Sequence, residues 1–256
     1  MHALKPVALQ DDSYRWTIGI YSRPSQADAA RNLAAGFREG WPGRDEFLTF
    51  VWRSDVAPSR VAYEDAFAST PCDLLFVFDD PSAPDEIGTL LQAAVNARQT
   101  PIRVTDLNGR SEPASPSALS WSVEFGDIQA HAMRFAMAVF SSFMAKGLVC
   151  VDWVDLLMLL DAPGRIATIT HCESASAGAL IEAYVTALES ITRSPASPGA
   201  VMGTHTTIIN TGSLRMVDVR KIVMRTRQHF GEEVWLSYAA PEYACERLHA
   251  FLLCIA

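Results

Sequence analysis

The chain has 256 residues, 49% of them hydrophobic and 20% charged, and a formal net charge of −8 at pH 7. That length supports one large or two modest domains with a sizeable core. The acidic balance argues against a general nucleic-acid binder, because a phosphate backbone is held by surplus Lys and Arg.

The opening stretch MHALKPVALQDDSYRW has no long apolar core and no small-residue cleavage site, so no signal peptide is expected. No run approaches the ~18 uninterrupted apolar residues of a membrane span. The five cysteines, Cys72, Cys150, Cys172, Cys245 and Cys254, are odd in number and lack CxxC spacing. They read as reduced thiols of a cytoplasmic protein, with no metal site implied.

In chain order, WTIGIYS (16–22) reads as a strand and QADAARNLAAGFREG (26–40) as an Ala-rich helix closed by Gly40 and Pro42. EFLTFVWR (46–53) is a second strand, SRVAYEDAFAS (59–69) a short helix, and CDLLFVFDD (72–80) a buried strand. A helix over 85–99 and a strand over 101–107 come next. Strands alternating with helices predict a parallel sheet covered on both faces. NGRSEPASPSALS (108–120), rich in Ser, Pro and Gly, reads as a loop ending the first layer.

The helix predicted over 127–147 is apolar on nearly every face, with Ile128, Met133, Phe135, Met137, Phe140 and Phe143 among its residues. Such a helix must be buried on nearly all sides, here between two layers. Beyond it come a strand (165–171), a helix (176–193), a strand (200–210), an amphipathic helix (213–230) and two closing strands (232–240 and 245–256). A Pro-containing turn separates the last two, which are expected to pair antiparallel. The fold class is therefore α/β. A Rossmann-type parallel-sheet domain (1–126) is joined by a central helix (127–147) to a smaller α+β domain with a mixed sheet (148–256).

The residues after the central helix, GLVCVDWVD (147–155), resemble the T7 loop of the tubulin/FtsZ superfamily, whose pattern is G-L-[IV]-N-x-D-[FW]-x-D. ALIEAYVTALESITRSP is similar to the FtsZ helix that ends in a Ser-Pro pair, here Ser194 and Pro195. THTTIINTGSLRMVDVRKIV and the closing strands also resemble FtsZ segments. The likeness is good over 127–256 and rests only on element order over 14–107. In that family Gly-rich turns hold GTP, since glycines let backbone N–H groups close on phosphates. This chain has YSRPSQADAA after its first strand and DDPSAPDEIGT after its third. Asp79, Asp80, Asp85 and Glu86 bring negative charge there, and Pro81 and Pro84 remove donors. GTP binding is expected to be lost, leaving no cofactor and no catalytic residue: a pseudo-GTPase.

In the resemblance, the T7 acids reach the nucleotide site of the next subunit and orient the attacking water. Asp152 and Asp155 would share one face of a helix start, with Cys150 where the family has Asn. The simpler alternative is that the acids merely favour a helix N-terminus. His171, Cys172 and Ser174 in THCES read as strand-end residues, since adjacency in sequence is not a catalytic geometry. Arg215, Arg220, Lys221, Arg225, Arg227 and His229 form a solvated helix face, or else a docking face for an acidic partner. VWRSD and PCDLLFVFDD offer Trp52 and exposed-looking acids without metal spacing.

The resemblance implies a cytoplasmic, FtsZ-like protein that works by association with itself or by capping a true FtsZ-type partner, with no nucleic-acid or membrane partner. The sequence ends on the last strand at Ala256, so the family's linker and tail peptide are expected to be absent. A divergent active GTPase and a tubulin-like scaffold in an unrelated machine are the alternatives.

Overall fold

The computed structural model describes residues 5–9, 15–43, 45–53, 59–108, 115–192 and 201–256. The expected Ser194–Pro195 pair lies outside these residues, as do residues 109–114 between the fifth strand and the sixth.

The first half alternates as the sequence predicts. After a short β1 (Lys5–Pro6) come β2 (Trp16–Tyr21), α1 (Ala27–Gly40), β3 (Leu48–Trp52), α2 (Arg60–Ser69) and β4 (Leu74–Phe78). Then come α3 (Pro84–Asn96), β5 (Pro101–Asp106), β6 (Leu119–Val123) and the central helix α4 (Ile128–Met144). All five residues of β4 are buried, because helices cover both faces of a parallel sheet and leave no solvent side to alternate with. β6 corrects the expected loop over 108–120. Its sequence LSWSV alternates with a period of two, and Ser122 shares a hydrogen bond of 2.8 Å with Thr105 on β5.

The second half contains β7 (Gly147–Val149), α5 (Trp153–Leu160), β8 (Ile166–Ser174), α6 (Ala177–Thr192) and β9 (Gly203–Ile209). It closes with α7 (Met216–Phe230), β10 (Trp235–Pro241), β11 (Tyr243–Ala244) and β12 (Leu248–Ile255). β1 and β11 form a separate antiparallel ribbon. The other strands make one sheet in the order β3-β2-β4-β5-β6-β8-β12-β9-β10-β7. β6 pairs in parallel with β8 through Ser120–Ile166 and Trp121–Ala167, so the sheet continues across the two halves.

The two closing strands do not pair with each other. β10 lies parallel to β9, while β12 inserts antiparallel between β8 and β9. Two causes separate them. β9–α7–β10 is a strand–helix–strand crossover, which favours parallel neighbours. All eight residues of β12 are buried, so it takes a central position, whereas β10 carries the exposed Trp235 toward the rim.

α4 is buried from Ala132 to Met144 with the exception of Arg134. On one side α1 comes unusually close. A Cβ at Gly36 would sit 2.1 Å from the Gln129 carbonyl oxygen, and one at Gly40 would sit 2.6 Å from that of Met133. On the other side Ser142 fastens α4 to β9. Its hydroxyl lies 2.7 Å from His205 Nε2 and 2.7 Å from Thr207 Oγ1. His205 Nδ1 meets Ser237 of β10 at 3.1 Å. Complete burial pushes the imidazole down to about 3, so it is held neutral within this network.

Candidate functional site

Two regions bear on function, and they lie at opposite ends of the molecule. The first is where β2 and β4 end. Their chains depart to opposite sides, β3 on one flank and β5 on the other, which makes the crevice between them the switch point at which open α/β sheets hold ligands.

Here that crevice is occupied by the chain's own side chains. Arg23, after β2, reaches Asp80 Oδ2 at 3.4 Å and Glu86 Oε2 at 3.5 Å. Gln26 donates to the Asp79 carbonyl at 2.5 Å. The hydroxyls of Tyr21 and Tyr63 both donate to Glu86 Oε1, at 2.7 and 3.3 Å. Burial, reinforced by those neighbours, raises the Tyr21 phenol and so keeps it a donor. Asp79, exposed-looking in the sequence, is instead buried against Arg103 of β5.

Backbone donors between β4 and α3 turn inward to the loop itself. Asp80 Oδ1 accepts from the Ser82 N–H at 2.9 Å and from its hydroxyl at 2.7 Å. These bonds hold the Asp80 carboxyl below its ordinary range. The Ala83 N–H goes to the Asp80 carbonyl, and Pro84 at the first helical position has no N–H to give. Beside this crowded crevice, on the β3 side, lies a cleft of about 510 Å³ lined by Ser22, Arg23, Pro24, Ala27, Arg31 and Trp52.

The second region is the corner after α4. The helix begins at the ligand end of the sheet and runs back along it for about 25 Å, at 1.5 Å per residue. It therefore delivers residues 147–155 to the far end. The T7-like segment is not a free loop, since Gly147 and Val149 form β7 and pair with Pro241 and Ala240 of β10. Only glycine fits at 147, where a Cβ would stand 2.0 Å from the Ala240 carbonyl oxygen. Asp152 is the N-cap residue of α5 but makes no side-chain capping bond, and Asp155 lies in the first turn. Cys150, Asp152 and Asp155 are all exposed, while Leu156, Leu159 and Leu160 anchor α5 from beneath. The same outward side carries Val154 and Met158, 64% and 59% exposed.

Compared by sequence, the chain matches no protein-family model and no curated protein. Solved structures do match. FtsZ from M. jannaschii, in its W319Y mutant form, superposes with a TM-score of 0.62 over 94% of this chain and 91% of its own, at 10% identity. The fold is that of the tubulin/FtsZ superfamily. CetZ2 from Haloferax volcanii gives a TM-score of 0.57 over 93% and 92% of the two chains, at 14% identity. TubZ from Bacillus thuringiensis serovar israelensis gives 0.57 over 96% and 84%, at 12% identity.

Within this FtsZ-like fold the other sequence candidates separate. His171 and Cys172 point to opposite faces of β8, as neighbours in a strand must. His171 stacks on Phe251, and Cys172 faces the Ala250 carbonyl instead. They form no catalytic group. On α7, Arg215, Arg220, Lys221 and Arg225 are exposed, with Arg215 and Lys221 both directed at the buried Asp218. Trp52 is exposed at the cleft. Among the described residues, no helix is long and apolar enough to cross a membrane.

Proposed function

We propose that this FtsZ-like chain is a pseudo-GTPase that acts by nucleotide-independent association. Its exposed acidic corner, Asp152 and Asp155, docks onto a second copy or onto the ligand end of an FtsZ-type subunit. The observation that carries the reading is the occupied switch-point crevice. Arg23, Asp80 and Glu86 fill it with their own ion pairs, and the Ser82 and Ala83 N–H groups between β4 and α3 are spent on Asp80. A phosphate entering there would meet the carboxylates of Asp80 and Glu86 beside Arg23, and a helix start whose first position is proline.

Several structural neighbours support the association half. One is an FtsZ dimer, one a CetZ2 protofilament with GTPγS bound, and one a four-stranded TubZ filament. The corner itself suits an interface, with two carboxylates set among the exposed Leu148, Val154 and Met158.

Calorimetry with GTP and GTPγS, paired with sedimentation of the chain alone and with purified FtsZ, tests both halves. The expected outcome is no nucleotide binding, and association that does not change when GTP is added. Asp152→Ala/Asp155→Ala should abolish that association. Micromolar GTP affinity with turnover would overturn the pseudo-GTPase half. The cleft between Arg23, Arg31 and Trp52 favours a second reading, a divergent GTPase with its ligand shifted toward β3. In that case Trp52→Ala should weaken the measured nucleotide affinity.

A further inference from the structure

The pairing of β8 with β12 assembles a cluster that no stretch of sequence contains. His171 and Glu173 lie on one face of β8, and the register sets His249 directly opposite Glu173. His171 Nε2 is 3.1 Å from His249 Nδ1, which in turn is 3.5 Å from Glu173 Oε2. One ligand atom from each residue lies within 4.8 Å of the other two. We propose that His171, Glu173 and His249 form a binding site for a divalent transition metal, with Zn²⁺ as the fitting ion, that clips the start of β12 to the end of β8.

The spacing is close to that of a coordination sphere on two of its three edges. A tetrahedral ion with bonds of about 2.1 Å holds its ligand atoms about 3.4 Å apart. Two of the three separations, 3.1 and 3.5 Å, bracket that edge, and the third, from His171 to Glu173, lies within 4.8 Å and closes as the exposed Glu173 side chain turns in. Two imidazoles and one carboxylate select zinc, cobalt or nickel over calcium and magnesium, which want a shell of oxygens. Arg247 Nη1 donates to Glu173 Oε1 at 2.8 Å, leaving Oε2 turned toward His249. That is how outer-shell partners orient a ligating carboxylate. The His171 ring is fixed by stacking on Phe251, 14° from parallel with centroids 4.5 Å apart. Glu173 is 41% exposed, which gives an ion a way in and leaves the fourth position to water.

Two features set the strength. The histidines share a hydrogen bond in the metal-free chain, so the donor ring must move its proton to its other nitrogen before both can ligate. The guanidiniums of Arg247 and of Arg134 on α4 add positive charge near the site. Affinity is therefore expected to be micromolar.

The test uses the untagged full chain carrying Cys150→Ser, which removes the exposed thiol. After chelator treatment it is titrated with Zn²⁺ by calorimetry and with Co²⁺ by absorption. One saturable Zn²⁺ per chain is expected, with tetrahedral Co²⁺ bands, no thiolate-to-cobalt charge transfer, and a Tm that rises with Zn²⁺. Glu173→Gln, an isostere at an exposed position, should weaken binding by about tenfold or more. His171→Gln should abolish binding, with circular dichroism confirming its fold. Absence of saturable binding, a thiolate band, or undiminished binding by Glu173→Gln would each overturn the proposal.

Discussion

Arg103 on β5 holds Asp79 at the end of β4 through two contacts to one carboxylate oxygen, Nη2 at 2.7 Å and Nε at 3.0 Å, with both side chains 7% exposed. The pair belongs to the scaffold of the switch-point crevice. Removing one member of a buried ion pair is costly, because the other charge loses compensation that burial keeps water from replacing. Asp79→Ala should therefore lower unfolding free energy by roughly 3–5 kcal/mol, whereas an apolar pair such as Asp79→Leu/Arg103→Met should recover most of it. Urea denaturation of the two variants makes the comparison.

The contact of α1 with α4 depends on two missing methyl groups. Alanine at Gly36 improves helix propensity by about 1 kcal/mol, but its Cβ would collide with the Gln129 carbonyl. Overpacking of this kind costs about 1–3 kcal/mol. Gly36→Ala should therefore destabilise on balance, seen as a lower Tm. Gly88, whose Cβ would meet nothing, should gain stability on the same change.

The acidic corner should behave in the opposite way. Neither Asp152 nor Asp155 caps or pairs with anything that the fold depends on. Asp152→Ala/Asp155→Ala should unfold within about 0.5 kcal/mol of the parent chain. A matched unfolding midpoint is what lets a loss of association be read as a loss of interface.

His205 gives stability a pH dependence with a definite sign. Its imidazole has an ordinary value of 6.5 and is pushed by burial to about 3 in the folded chain. Between these values the unfolded state binds a proton that the native state refuses, so stability falls as pH falls. The slope from this group is about 1.4 kcal/mol per pH unit. Above 6.5 both states are neutral and the contribution vanishes. Denaturant titrations from pH 7 downward should include this slope, alongside a contribution of the same sign from His171, which burial lowers to about 4, and His205→Gln should reduce the total by the His205 share.

Periodicity carried most of the elements. Alternation located the strands of the first half, and the all-round apolar pattern marked α4 as an internal helix. β6 was legible too, since Leu119, Trp121 and Val123 alternate with serines, but the Ser and Pro before it masked the pattern. β7 was not, because three residues beside a motif known as a loop carry no periodicity of their own. Of the candidate site residues, Asp152 and Asp155 were expected to face outward from the T7-like resemblance, not from periodicity, since the apolar Val154 and Met158 of α5 are exposed beside them. The burial of Asp79 did not, because its partner Arg103 is contributed by the neighbouring strand.

The sequence alone determined the α/β alternation, the buried central helix, and the lack of glycine where β2 and β4 end, because each is written in local spacing and composition. Only the tertiary structure decided which strands became neighbours. It placed β12 between β8 and β9 and turned Arg23 into the crevice against Asp80 and Glu86. It also brought His249 beside His171 and Glu173. Strand register and ion pairing join residues far apart in the chain, and no local pattern encodes those distances.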